Sequence, residues 1–96
     1  MSKLKSNDLA PYIGLAQRAN AVLYGEDIIL ERIKLAGVVL IDSRASDKYK
    51  ERLKREITAC PLFIADGLRE ALHRDGVNAV AVTNVGLANA IIEILR

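Results

Sequence analysis

The chain has 96 residues, 51% of them apolar and 27% charged, with a formal net charge of +2. That is enough for one soluble domain, residues 1–96, with one modest core, and too little for two. One cysteine (Cys60) and one histidine (His73) exclude an intrachain disulfide and a multi-cysteine metal site, and no apolar run approaches the roughly 18 residues that span a bilayer.

Taken in order, Ser6, Asn7 and Asp8 supply N-cap types, and Leu9, Ile13 and Ala16 follow at helical spacing. Pro11 fits such a helix if it lies in the first turn, where its missing N–H is no loss. The helix should end near Ala19 and Asn20, and Ala21–Tyr24 is a short extended segment. Gly25 breaks it. Glu26 and Asp27 then open a second helix, where each acid favours the positive end of the dipole by about 0.3–1 kcal/mol. Ile28, Ile29, Ile33 and Leu35 are expected to form its buried face, and Gly37 stops it.

Val38–Ile41 reads as a fully buried strand. Residues 42–46 form a loop that ends in a good N-cap, Ser46. The third helix puts Tyr49, Leu53 and Ile57 on one face and Lys48, Arg52 and Arg55 on another, with Lys50 and Lys54 beside them. Pro61–Ile64 is a second apolar strand. Asp66 and Gly67 lead into a short helix from Leu68 to about His73, and Arg74, Asp75 and Gly76 form a loop. Ala79–Thr83 is a third apolar strand, and the last helix, Val85–Leu95, turns Leu87, Ala90, Ile91, Ile94 and Leu95 inward. Strands too apolar to have a wet face, alternating with helices, predict an α/β fold: a three-layer α/β/α sandwich around a four-stranded mixed sheet.

No constellation for catalysis emerges. The glycines are isolated, so neither a dinucleotide fingerprint nor a P-loop is present. Cys60 abuts a buried strand, which points to packing, and His73 closes a short helix, which points to a solvated or capping role. Glu26 and Asp27 are adjacent on a helix and do not face each other. We therefore expect a non-enzyme without cofactor or metal. The first ten residues, MSKLKSNDLA, contain no apolar signal region, so a cytoplasmic location is expected.

Charge is uneven. Residues 31–55 carry eight positive and four negative side chains, whereas 1–30 carry three of each and 56–96 carry three positive and five negative. A basic segment of this kind fits an acidic partner, and it equally fits a solvated helix surface. Only four aromatics are present (Tyr12, Tyr24, Tyr49 and Phe63), which weighs against a stacking platform for single-stranded nucleic acid.

The stretch IGLAQRANAVLYGED resembles the N-terminal motif LGLAxRAGKLxxGEE of YlxQ-type proteins, small bacterial members of the ribosomal protein L-seven-Ae / L-thirty-e family. Residues 79–88, AVAVTNVGLA, are similar to that family's VVAVTDxGFA, and Asp42–Ser46 occupies the place of its AEDAS-like loop. The resemblance covers nearly the whole chain. It implies an α/β/α sandwich and a protein that binds structured RNA of the kink-turn kind, with the ribosome among its partners. It also implies a recognition surface built from the helix start at Gly25, Glu26 and Asp27, from Arg32 and Lys34, from Ser43 and Arg44, and from Leu72 and His73 in the segment 68–76. Strong kink-turn binders carry G-x-N-E-x-x-K at the helix start. This chain has Asp27, Ile28 and Glu31 at the Asn, Glu and Lys positions, and the glycines usual in the covering loop are missing from Leu68–His73. A protein-interaction module that kept the fold and lost kink-turn binding is the alternative.

Overall fold

The computed structural model describes residues 6–96. The elements run α1 (Ser6–Arg18), β1 (Val22–Tyr24), α2 (Glu26–Glu31), a 3-10 turn (Ile33–Leu35), β2 (Val38–Asp42), α3 (Asp47–Glu56), β3 (Leu62–Ala65), α4 (Leu68–Leu72), β4 (Ala79–Val82) and α5 (Val85–Leu95). The sheet order is β1-β4-β2-β3. β4 is antiparallel to both neighbours, pairing Val82 with Val22 on one side and Val80 with Leu40 on the other. β2 and β3 are parallel, with Leu40 opposite Phe63, and α3 makes the crossover between them.

Strand alternation sends neighbouring residues to opposite faces, and both faces are covered. Val38, Leu40, Val80 and Val82 pack with Leu9, Ile13 and Ala16 of α1, Leu68 and Leu72 of α4, and Ala88 and Ile91 of α5. Val39, Ile41, Ala79 and Ala81 pack with Ile29 of α2 and with Leu53 and Ile57 beneath α3. The sequence reading of an α/β/α sandwich with a four-stranded mixed sheet is what the chain forms.

Ser46 caps α3 as expected, its side chain accepting from the Tyr49 amide at 3.1 Å. Asn84 does the same for α5, accepting from the Leu87 amide at 2.9 Å. Some details differ from the sequence reading. Pro11 lies inside α1, beyond its first turn, and is tolerated there on the exposed side. The capping expected of the Ser6, Asn7 and Asp8 side chains lies outside the described residues. α2 ends at Glu31: Arg32 leaves the helical region (φ −115°, ψ 31°) and the chain tightens into the 3-10 turn. That break resets the helical phase, so Leu35 is turned out to 58% exposure; within α2 itself Ile28, adjacent to the enclosed Ile29 and so on a different face, stands at 41%. In α5 the fully enclosed pair is Ala88 and Ile91, with Ala90 only half-buried.

Candidate nucleic-acid interface

The strand directions bring the ends of β1, β2 and β3 and the start of β4 to one end of the sandwich. There the Gly25 amide donates to the Ala79 carbonyl at 3.0 Å, Asp42 to Asn78 at 2.8 Å and Ser43 to Ala65 at 3.0 Å. Gly25 turns the chain off β1 with φ 87°, a conformation for which a side chain is penalised, and nothing lies within 4 Å of where its Cβ would be. Its carbonyl then accepts the first α2 bond, from the Ile29 amide at 3.1 Å. The glycine is needed there for the turn, not for space.

Asp42 is the one enclosed carboxylate among the described residues, its side chain 0% exposed. Oδ1 accepts from the Arg44 amide at 2.8 Å and from Arg44 Nε at 2.9 Å. Oδ2 accepts from Arg44 Nη2 at 2.9 Å and from the Arg69 amide at 3.2 Å. Burial works to raise this carboxyl, but the hydrogen bonds from Arg44 and Arg69 and the Arg44 charge outweigh it and hold the pKa at about 2. The same guanidinium donates to Glu70 through Nη1 at 2.9 Å and Nη2 at 2.7 Å. Shared between two carboxylates, Arg44 has its pKa raised further, first by Asp42 and then by Glu70, and the Arg44 hydrogen bond holds Glu70 below the usual range. Arg44 therefore staples the loop after β2 to the start of α4.

Arg69 completes the frame. Its Nε donates to the Val77 carbonyl at 3.1 Å and its Nη2 to Asn78 Oδ1, which fixes the strand entry of β4. Arg74 lays its guanidinium 4.1 Å over the centroid of the Tyr24 ring. Tyr24 is positioned in turn by Gln17, whose Nε2 donates to the Tyr24 hydroxyl at 3.2 Å and to the Leu72 carbonyl at 3.0 Å. His73 caps α4 in the left-handed region, φ 58° and ψ 37°, and is exposed.

The sequence-predicted surface is thus only partly assembled. Gly25, Glu26, Asp27, Ser43, Arg44 and His73 meet at this end. Glu26 is turned toward α3, with its Oε2 2.8 Å from Arg52 Nη2. That atom is enclosed, and the contact is an ion pair without hydrogen-bond alignment. Beside it, burial and then the Glu26 charge raise the Tyr49 hydroxyl. Leu72 was expected on the recognition surface, but it is a core residue at 2% exposure; its apolar side chain belongs to the α1–α4 packing.

Arg32 and Lys34 are exposed, yet they are not at this end. The chain leaves Ala79, the first residue of β4, at Gly25 and reaches Val82, the last, where the Gly37 amide donates to its carbonyl at 2.8 Å. The segment between them crosses the sheet, so Lys34 sits at the opposite end. Sequence reading missed the Asp42–Arg44–Glu70 network, Arg69 and the Tyr24–Arg74 stack. An acid placed directly after an apolar strand, with a cation two residues on, was the available signal for the first.

Among the described residues no cluster of His, Cys, Asp and Glu could hold a metal ion, and no helix is long and apolar enough to cross a membrane. No family profile matches the chain, and no curated protein matches it. Among solved structures it is similar to a protein of unknown function from Bacillus halodurans C, with a TM-score of 0.82 and 19% identity over 91% of this chain and 95% of that one. That likeness concerns the fold.

Proposed function

We propose that this chain is a non-enzymatic, cytoplasmic, RNA-binding protein, ribosome-associated, that takes structured RNA of the kink-turn kind, as its resemblance to the L-seven-Ae / L-thirty-e family implies. The observation that carries the reading is convergence: residues from three separate segments, 25–27, 43–46 and 73–78, share one end of the sandwich, where that family meets RNA. Contact would be made by the amides opening α2 and by His73 and Arg74 on the opposing loop, which together span a bent phosphate backbone. Arg44, already bonded to two carboxylates, serves as scaffold.

The test is a titration of a standard kink-turn, against an unstructured RNA of equal length, at several salt concentrations. Saturable, kink-turn-selective binding that weakens linearly in log salt is expected. Absence of binding to either RNA at low salt overturns the reading.

One observation favours a second reading, a protein-interaction module. On α2 the apolar Ile28 is exposed beside the acids Asp27 and Glu31, and at this end Arg44 and Arg52 are neutralised by Asp42, Glu70, Glu26 and Glu56. Such a surface suits a protein partner better than a polyanion.

A further inference from the structure

The two ends of the sandwich carry opposite charge. The end just described gathers Glu26, Asp27, Asp42, Asp47, Asp66, Glu70 and Asp75 against Arg44, Lys48, Arg69 and Arg74. The other end is marked by Gly37 beside Val82, by Thr83, whose amide donates to the Ala21 carbonyl at 2.9 Å, and by Val39, whose amide donates to the Pro61 carbonyl at 2.9 Å. Lys34 arrives there on the 3-10 turn with Arg32 just before it, and Lys54 and Arg55 in the last turn of α3; these cations outnumber the adjoining acids Glu31 and Glu56, the latter paired with Arg52. All four are exposed, and none has an ion-pair partner among the described residues. Cations in a last turn favour the helix dipole, which accounts for part of this charge. It does not account for what they surround.

Of the exposed large apolar residues among those described, the two most exposed are Val85 at 71% and Leu35 at 58%, and both are at this end. Their neighbours show that the two segments touch. A Cβ on Gly37, two residues after Leu35, would lie 2.7 Å from Ala88 Cβ, one helical turn after Val85. The glycine lets the 3-10 turn close against α5, and each apolar residue stands two residues from a backbone bond to the sheet, Leu35 from that of Gly37 and Val85 from that of Thr83.

We propose that this basic end, Leu35 and Val85 framed by Arg32, Lys34, Lys54 and Arg55, is a docking surface for a segment of another protein that is acidic and studded with apolar side chains. Four cations draw the acidic segment, and two fixed apolar anchors bury its aliphatic side chains. A nucleic-acid backbone satisfies the cations but leaves Leu35 and Val85 in contact with phosphate and sugar, so the apolar pair selects protein. The surface is distinct from the RNA-binding end and does not depend on that reading.

The experiment uses the full chain, isotope-labelled for amide NMR. It is titrated separately with a synthetic peptide repeating two glutamates and a leucine, with polyglutamate of the same length, and with a uridine oligonucleotide. The peptide is expected to shift amides in residues 32–37, 54–59 and 83–88 saturably, and to bind at least about tenfold more tightly than polyglutamate, the value of one well-buried apolar contact. Leu35→Ser and Lys34→Glu, both exposed positions, should each lose most of that binding while the spectrum of the free protein stays folded. No shifts at these residues, equal binding of polyglutamate, or tighter binding of the oligonucleotide overturns the proposal. A kink-turn titration of the same sample reads residues 25–27 and 73–78, so failure there is seen separately.

Discussion

Arg44 grips both oxygens of the enclosed Asp42 carboxylate, with Nε 2.9 Å from Oδ1 and Nη2 2.9 Å from Oδ2. Asp42 closes β2, and Arg44 spans from it to Glu70 on α4, 26 residues further along the chain. The position that the family resemblance assigned to RNA is thereby an internal tie between the central strand and the covering loop.

The tie sets an acid-stability branch. The Asp42 pKa is about 2 in the fold against 3.8 ordinarily. A depressed carboxyl contributes stability that is complete above the unfolded value and is lost as pH falls through the folded one. Stability should therefore decline between pH 3.8 and about 2 on this account. Asp42→Asn should cost about 1–3 kcal/mol at neutral pH, because the Arg44 and Arg69 donors lose a charged acceptor. Denaturant melts of both forms across that pH range check it: the variant should show a shallower acid branch, and parallel curves would remove Asp42 as the cause.

Gly37 is bound by space where Gly25 is bound by conformation. A Cβ at 37 would stand 2.7 Å from Ala88 Cβ, well inside contact distance. Gly37→Ala should destabilise by about 1–3 kcal/mol through overpacking. Adding Ala88→Gly opens the space but places glycine inside α5, costing about 1 kcal/mol on its own. The double variant should still melt above Gly37→Ala alone. Equal midpoints would mean that the close approach is not what Gly37 is for.

The separation of charges changes what mutagenesis of the RNA reading should give. Arg32 and Lys34 lie on the later part of the segment that crosses from Ala79, at Gly25, to Val82, at Gly37, in a molecule 25–27 Å across. At about 0.15 M salt the Debye length is roughly 8 Å, so charges at one end are largely screened from the other. Arg32→Glu with Lys34→Glu should leave kink-turn affinity within about threefold at that salt, whereas Arg74→Ala should weaken it about tenfold or more. Gel-shift titrations of the two variants distinguish the ends, and the reverse ranking would place the RNA on the basic end.

How far the sequence could be read divides along the range of the interaction. Ser46 and the span Val85–Leu95 were legible because caps and helical periodicity are local. The four strands were legible because a run such as Val38–Ile41 has no polar face to leave wet. Leu35 was misjudged because Arg32 breaks the helix, and a periodic pattern carried across the break assigns the wrong phase. Leu72 was misjudged because a loop motif was matched where α4 buries its side chain against α1. The Arg44–Glu70 and Arg69–Asn78 contacts depend on which strand ends coincide, and that is fixed by the order β1-β4-β2-β3, which no local pattern encodes. The same order decides that Lys34 and Arg44 sit at opposite ends.

His73 separates stability from function. It holds φ 58° and ψ 37° at the end of α4, a left-handed cap where a residue with a Cβ is strained by about 1–2 kcal/mol and glycine is not. Its amide donates to Glu70 O at 3.2 Å, and the next amide, Arg74, donates to Arg69 O at 3.1 Å, so the cap is made by backbone alone. Glycine keeps both bonds and relieves the strain, but loses more chain entropy on folding. His73→Gly should therefore raise stability by about 0.5–1 kcal/mol net, and His73→Asn should raise it less. If the imidazole contacts RNA as proposed, kink-turn affinity should fall in the very variant that melts higher. Thermal melts and titrations on the two variants check both halves together. A rise in stability with unchanged affinity would leave His73 as a cap and remove it from the interface.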